Sequence, residues 1–380
     1  MQAIAVAWQI YSITHRPLDL GLVGLAQFLP GILLFLVTGD TADRVSRRRI
    51  LLACYSAFAL CSALFLTLTL HGLNSVWPIY GVLLLNGIVR AFNGPATQAF
   101  LPLLVPKADF PSAVAWNSSV FQTAVIVGPL AGGLIYGATG NPILAYCCTG
   151  TGYLIALCLM ASIRLDRAAN ARPAPSSRMV LEGLRFIWRN KLILGAISLD
   201  LFAVLLGGAV ALLPVYARDI LKVGAYGLGF LRSAPALGGV FMAIVLAHWP
   251  LRRRAGAALL WCVCCFGGFT IAFGLSRSLA LSLAALAFAG ACDMVSVVVR
   301  HTLVQLGTPD EMRGRVSAVN MVFIGASNEV GQFESGITAQ WFGTVPAVVL
   351  GGVGTILVVV LWAWLFPDLR NVDKLVTHDV

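Results

Sequence analysis

The sequence predicts an all-α protein that crosses a membrane many times. Only 11% of its 380 residues are charged, 59% are hydrophobic, and the mean hydropathy is +0.87. A soluble domain carries about 25% charged residues. Apolar runs of about 20 residues recur along the chain, and this is the length that a helix needs to cross the hydrocarbon core. The runs are continuously apolar rather than alternating, which favours helices over a β-barrel.

The apolar runs predict twelve spanning segments, of which the first is incomplete. Met1 to Ile13 is already apolar but would cover only about 20 Å as a helix. We therefore expect a first helix whose beginning is missing. The remaining predicted segments are 18–38, 50–70, 77–98, 113–137, 142–163, 192–215, 224–247, 256–275, 279–300, 316–340 and 344–366.

One long polar linker divides these segments into two groups of six. The predicted domains are an N-terminal six-helix half at 1–163, a basic cytoplasmic linker at 164–191, a C-terminal half at 192–366 and a cytoplasmic tail at 367–380. The later part of the linker places five apolar residues on one helical face, which indicates an amphipathic helix lying on the membrane. A solvated linker helix is the alternative. These five residues are Val180, Leu181, Leu184, Ile187 and Trp188.

The basic residues predict the orientation. If the loop at 39–49 is cytoplasmic, the loops and tail on that side carry 19 of the 26 Lys and Arg residues. Positive charge is concentrated on the cytoplasmic side of membrane proteins. We therefore expect the 39–49 loop and the C-terminus in the cytoplasm of a bacterium, with the chain in its inner membrane. The net charge of +10 then reflects topology, and no nucleic-acid partner is expected.

The two halves of the chain repeat each other. Gly24 to Pro30 aligns with Gly229 to Pro235 at an offset of 205, which also places Arg47 to Arg49 on Arg252 to Arg254. At an offset of 203, glycine, proline and asparagine positions coincide as well, including Asn117 with Asn320. Chance matching of glycines is the alternative, but the arginine triplet argues against it. The pattern predicts two six-helix repeats in parallel duplication.

A charge-dense turn lies between the first two complete segments. Residues 39–49 hold two carboxylates and four arginines, in the order Gly39, Ala42-Asp43-Arg44 and Arg47-Arg48-Arg49. This pattern resembles the loop between helices 2 and 3 of the major facilitator superfamily, with departures at Thr41 and Ser46. Gly21 to Pro30 and Pro309 to Ser317 look like the enterobactin-exporter branch of transmembrane secretion effectors.

A second motif points to export. Gly128, Pro129, Gly132 and Gly133 form a run that resembles the Gly-Pro-x-x-Gly-Gly motif of exporters in this superfamily. Proline removes a backbone hydrogen bond, and glycines permit close helix approach. Ordinary glycine packing could also produce the run, and that alternative stays open.

The resemblance implies a twelve-helix fold of two six-helix repeats around a cavity. It implies a secondary active transporter, with proton-coupled export of small amphipathic molecules of siderophore or drug type by alternating access. Gly39, Asp43, Arg44 and Arg48 would form a gating loop, with Asp43 at the N-terminal end of a helix in the other half. Import of a small solute, a degenerate transporter acting as a sensor and, less favoured, a polytopic membrane enzyme remain as alternatives.

Few ionisable residues lie inside the predicted spans, where each costs about 2.5 to 3.5 kcal/mol at the helix centre. Arg90 and Asp293 are repeat counterparts at the offset of 203, and we expect them to face one cavity as the proton-coupling pair. Asp200 and Glu329 are further candidates. Arg232 and Arg300 lie near helix ends, where a long side chain can snorkel to the headgroups.

No cofactor or metal is expected. Six of the nine cysteines lie in apolar runs, where cysteine behaves as a small hydrophobe. The five histidines are scattered at helix ends and the tail, which disfavours an enzyme, and no phosphate-binding Gly-rich Lys-Ser/Thr loop is present. The expected partners are a small-molecule substrate, protons and the lipid bilayer, and we expect a monomer.

Overall fold

A computed structural model describes residues 1–34, 38, 41, 45–72, 75–106, 108–163, 177–251 and 253–373, with the backbone alone at 177–180. The α-helices of four or more residues in this part of the chain are α1 (Gln2–Thr14), α2 (Pro17–Leu33), α3 (Arg47–Leu70), α4 (Trp77–Leu104), α5 (Phe110–Thr139), α6 (Ile143–Ser162), α7 (Ser177–Arg189), α8 (Lys191–Gly207), α9 (Gly224–His248), α10 (Ala255–Leu275), α11 (Leu279–Leu306), α12 (Asp310–Phe342), α13 (Thr344–Leu365) and α14 (Pro367–Arg370).

The prediction of an all-α polytopic membrane protein is confirmed. Twelve of these helices, α1 to α6 and α8 to α13, lie on the twelve predicted segments, and the described residues contain no β-strand. Eight described helices are long and apolar enough to cross a bilayer, and α2 is apolar but shorter. Several helices run past their predicted ends, notably α4, which ends at Leu104, α11, which ends at Leu306, and α12, which begins at Asp310.

The span that begins with α8 is interrupted near its middle. The α-helix stops at Gly207, and the chain continues through a 3₁₀ turn at Ala209–Leu212 and a π turn at Tyr216–Ile220. Pro214 lacks the N–H that a regular helix would use. The carbonyl of Gly208 accepts a hydrogen bond from Ser335 Oγ at 3.2 Å. A broken helix needs such outside partners because lipid offers none.

The described chain separates into two compact units. The first consists of Met1–His15, Val23–Ser176 and Gly224–Gly229. Its core lies between α3 and α4, where Leu51, Phe58 and Phe100 are buried. Tyr146 on α6 stacks on Phe65 and donates its hydroxyl to Gln9 Oε1 at 2.7 Å, which ties α1 to α6.

The second unit consists of Arg16–Leu22, Ser177–Val223 and Phe230–Val380. Its main core joins α8, α10, α11 and α13 through buried residues such as Leu199, Leu259 and Val299. The domain boundaries at 163, 191 and 366 stay predictions.

The linker helix α7 belongs to this second unit. One part of the apolar face of α7 is buried and another part is exposed. Ile187 is buried against Val316 and Val319 of α12, so this part of the face contacts protein. Leu181 and Trp188 are 64% and 69% exposed, and among the members of this face whose side chains are described they are the ones available to a membrane surface. The side chain of Val180 lies outside the described part. Gly183 allows the close approach, because a Cβ there would lie 2.7 Å from the carbonyl oxygen of Arg315.

Candidate functional site

The ionisable candidates are divided between the two units. Arg90 lies in the first unit, whereas Asp200, Asp293 and Glu329 lie in the second. Three residues of the predicted gating loop, Gly39, Asp43 and Arg44, lie outside the described residues.

The second unit contains a buried ion pair between α8 and α11. Arg300 Nη1 lies 2.6 Å from Asp200 Oδ2, and the two side chains are 3% and 8% exposed. The interpretation of Arg300 as a residue that snorkels to the headgroups is therefore wrong. Its side chain points into the helix bundle, where the carboxylate of Asp200 balances its charge. Sequence position indicates the depth of a residue but not the direction of its side chain.

Asp293 lies on the same face of α11 as Arg300. Seven residues separate them, which is about two turns, so their directions differ by only about 20°. Asp293 interacts electrostatically with both Asp200 and Arg300. Within the described part of the chain it forms no hydrogen bond or ion pair. Two carboxylates and one guanidinium thus share one region of the second unit.

A second charged pair joins α9 and α12. Arg232 interacts electrostatically with Glu329, and Arg232 Nη1 donates to the carbonyl of Val210 at 3.3 Å. Glu329 Oε2 also accepts from Gln332 Nε2 at 3.1 Å. Arg232 therefore has partners within the protein and is not confined to the headgroup region.

Arg90 has a polar partner in the first unit. Its Nη1 donates to Gln27 Oε1 at 2.9 Å, which joins α4 to α2. Gly87 lies one turn away, and a Cβ there would lie 2.5 Å from the carbonyl oxygen of Gln27. Sequence reasoning missed Gln27, although the repeat offset of 205 relates it to Arg232. The facing of Arg90 and Asp293 stays a prediction.

The glycines of the α5 motif lie at close helix contacts. A Cβ at Gly133 would lie 2.7 Å from the carbonyl oxygen of Ala225 and from Gly229 Cα, at the start of α9. A Cβ at Gly132 would lie 2.8 Å from Met1 Cα. Gly128 is different, because the nearest atom to its Cβ position is Met1 N at 3.5 Å. Pro129 lies inside α5. Two of the three glycines therefore permit close approach of other backbone.

Arg48 is the one described member of the predicted gating loop. Its Nη2 donates to the carbonyl of Ala161 at 2.7 Å, and its Nε donates to that of Met160 at 3.5 Å. The last carbonyls of a helix lack partners within the helix and carry partial negative charge. Arg48 thus stabilises the C-terminal end of α6, and its role in gating stays a prediction.

The described residues contain no group of His, Cys, Asp or Glu that could hold a metal ion. The candidate residues are charged and hydrogen-bonding side chains, on α2 and α4 in the first unit and on α8, α9, α11 and α12 in the second.

Solved transporters share this fold. The peptide transporter POT superposes with a TM-score of 0.74 at 11% identity, covering 98% of this chain and 92% of that one. The nucleoside transporter NupG superposes with a TM-score of 0.71 at 11% identity, covering 96% and 94%. The fold is that of a major facilitator transporter.

The sequence comparisons identify the family. The family model described as transmembrane secretion effector matches residues 1–378, and the chain belongs to this family. The enterobactin exporter EntS of Escherichia coli (strain K12) is 28% identical over 377 residues, which cover 97% of this chain and 88% of the relative. The enterobactin exporter EntS of Shigella boydii serotype 4 (strain Sb227) is also 28% identical over 377 residues, which again cover 97% of this chain and 88% of the relative. The chain is therefore a multi-pass membrane transporter rather than an enzyme, and the predicted resemblance is confirmed.

Proposed function

We propose that this protein exports small amphipathic molecules, of siderophore or drug type, in exchange for protons. The observation that carries this proposal is the set of ionisable residues inside the apolar second unit, above all Asp293 beside the Asp200–Arg300 pair. Charged side chains within spans are costly and mark ion and substrate pathways. The substrate class follows the names of the enterobactin exporters that this chain resembles.

The transport cycle that we propose is alternating access by two six-helix halves. Protonation of a carboxylate removes a charge from the spans, which lowers the cost of moving between outward-open and inward-open states. Arg90 and Asp293 are the proposed coupling pair, with Asp200 and Glu329 in the same pathway. The glycines of the α5 motif let α5 lie close to Met1 and to the start of α9.

The loop at 39–49 is the proposed gate. Asp43 would bind the positive end of a helix in one state and release it in the other, which makes the gate bistable. Gly39 would belong to this gating loop, and Arg44 and Arg48 would pair with neighbouring carboxylates. In this proposal the loop and the C-terminus are cytoplasmic, and the protein is a monomer in the inner membrane.

Transport in inverted membrane vesicles tests the proposal. Vesicles that contain the full chain should accumulate catecholate siderophores or amphipathic dyes when respiration acidifies their interior, and a protonophore should abolish the accumulation. Vesicles with Asp293→Asn serve as the matched control and should show at most downhill exchange. Accumulation that persists after the pH gradient is collapsed would contradict proton coupling. Equal behaviour of vesicles with and without the protein would contradict export of this substrate class.

A further inference from the structure

The Asp200–Arg300 pair lies inside the main apolar core of the second unit. The residues next to them in sequence, Leu199 and Val299, are fully buried in that core with Val263 of α10. Charges in such surroundings must be balanced, because an unpaired charge on a spanning helix costs about 2.5 to 3.5 kcal/mol. The number of charges in this region therefore decides how many of its carboxyl groups hold a proton.

The count of charges leaves one carboxylate unbalanced. Asp200 and Asp293 bring two negative charges, whereas Arg300 brings one positive charge. With both carboxylates ionised the group carries a net charge of −1. With one proton bound it is neutral.

The geometry assigns that proton to Asp293. Arg300 holds Asp200 at 2.6 Å, so Asp200 is the carboxylate that is stabilised as an anion. Along the axis of α11, Asp293 lies about 10.5 Å closer to the N-terminus than Arg300 does. Side chains on a helix lean toward its N-terminus, and Asp293 lies on that side of Arg300. The buried Nε of Arg300 has no hydrogen-bond partner, which leaves a donor available for a second acceptor.

Few other charged groups face this region from the neighbouring helices. The helix α13 carries no ionisable residue, and α10 carries only cysteines. The Arg232–Glu329 pair of α9 and α12 balances itself, and Glu334 accepts a hydrogen bond from Thr338 at 2.7 Å. Beyond Asp200, Asp293 and Arg300, the titratable and charged residues of α8 to α13 are Lys191, Tyr226, Arg232, His248, Cys262, Cys264, Cys265, Cys292, His301, Asp310, Glu311, Arg313, Arg315, Glu329 and Glu334.

We propose that Asp200, Asp293 and Arg300 form one site that holds a single exchangeable proton. Arg300 is the positioning residue that keeps Asp200 ionised and leaves the proton to Asp293. An O–H bond forms at Asp293 when a hydronium ion on one side gives up a proton, and it breaks when water on the other side takes that proton. This inference rests on the proposed function and adds a partner for Asp293 within its own unit.

Infrared spectroscopy of the purified full chain in lipid nanodiscs tests the site without any substrate. The carbonyl stretch of protonated carboxylic acids reports how many carboxyl groups hold a proton at neutral pH. Charge balance predicts that Asp293→Asn and Asp200→Asn each lose the band of one carboxyl group. Arg300→Gln should gain one carboxyl band, because two carboxylates then need two protons.

The double variant Asp200→Asn with Arg300→Gln controls for misfolding. It removes both charges of the buried pair, so neither is left without its partner. It should keep a single protonated carboxyl group, as in the unmodified protein. Asp310→Asn is the matched control, because Asp310 forms an exposed pair with Arg313 and its loss should leave the band unchanged. A full band in Asp293→Asn, or an unchanged band in Arg300→Gln, would overturn the proposal.

The outcome is separate from that of the transport experiment, because no gradient or substrate is used. If the bands follow the charge count while vesicles show no proton-dependent accumulation, the proton site stands and proton-coupled export fails. If accumulation collapses with a protonophore while the bands do not follow the count, export stands and this proton site is refuted.

Discussion

A methyl group added at Gly133 should force α5 and the start of α9 apart. The new Cβ would lie 2.7 Å from both the carbonyl oxygen of Ala225 and Gly229 Cα, whereas ordinary contact begins at 3.4 Å. The backbones must therefore separate by about 0.7 Å, the difference between these two distances. Overpacking of this kind costs about 1 to 3 kcal/mol. Replacing glycine by alanine inside a helix stabilises the helix by about 1 kcal/mol.

Gly128→Ala is the matched control for this prediction. It lies in the same helix and motif, but its nearest neighbour would be 3.5 Å away, so it receives the helix-propensity gain without the clash. Gly133→Ala should therefore be less stable than Gly128→Ala by about 1 to 3 kcal/mol. The measurement is the unfolding midpoint in mixed detergent micelles, followed by tryptophan fluorescence.

A reciprocal variant checks that the loss arises at this contact. A Cβ at Gly229 would lie 2.9 Å from the carbonyl oxygen of Pro129 and 3.1 Å from Gly133 Cα. Once one methyl group has parted the helices, the second costs less, so the double variant should lose less stability than the sum of the two single variants. Equal midpoints for Gly133→Ala and Gly128→Ala would refute the reasoning.

Three further predictions concern the gate, the coupling and the linker. Asp43→Asn should lower the initial rate of vesicle transport by about tenfold while protein level stays normal, because it removes the charge that meets a helix N-terminus; full transport would exclude the gate. Asp293→Asn should leave at most downhill exchange in the same vesicles, and accumulation that a protonophore still collapses would move the proton site elsewhere. Glu182 and Arg315 pair at 2.7 Å but are 39% and 33% exposed, so a double-mutant cycle of unfolding midpoints should give about 0.2 to 1 kcal/mol; a coupling above about 2 kcal/mol would contradict a solvent-screened pair.

The sequence alone determined the class of protein and the positions of its helices. Lipid cannot hydrogen-bond to the backbone, so each crossing requires a continuous apolar helix, and this requirement is visible in the hydropathy of the chain. The motifs at 39–49 and 128–133 were visible because each is a local pattern, and the repeat was visible because both halves of the chain carry similar residues at matching positions. The eight helices that satisfy the length and composition of a span all lie on predicted segments.

The tertiary structure alone decided which ionisable residues are partners. Asp200 and Arg300 are 100 positions apart in sequence, and only the packing of α8 against α11 brings them to 2.6 Å. Gln27 as the partner of Arg90, and Gly229 as the neighbour of Gly133, likewise depend on how each helix is rotated about its axis. Hydropathy indicates how deep a residue lies in the membrane. It cannot indicate which neighbour a side chain faces, because that direction is set by close contacts between helices that are distant in the chain.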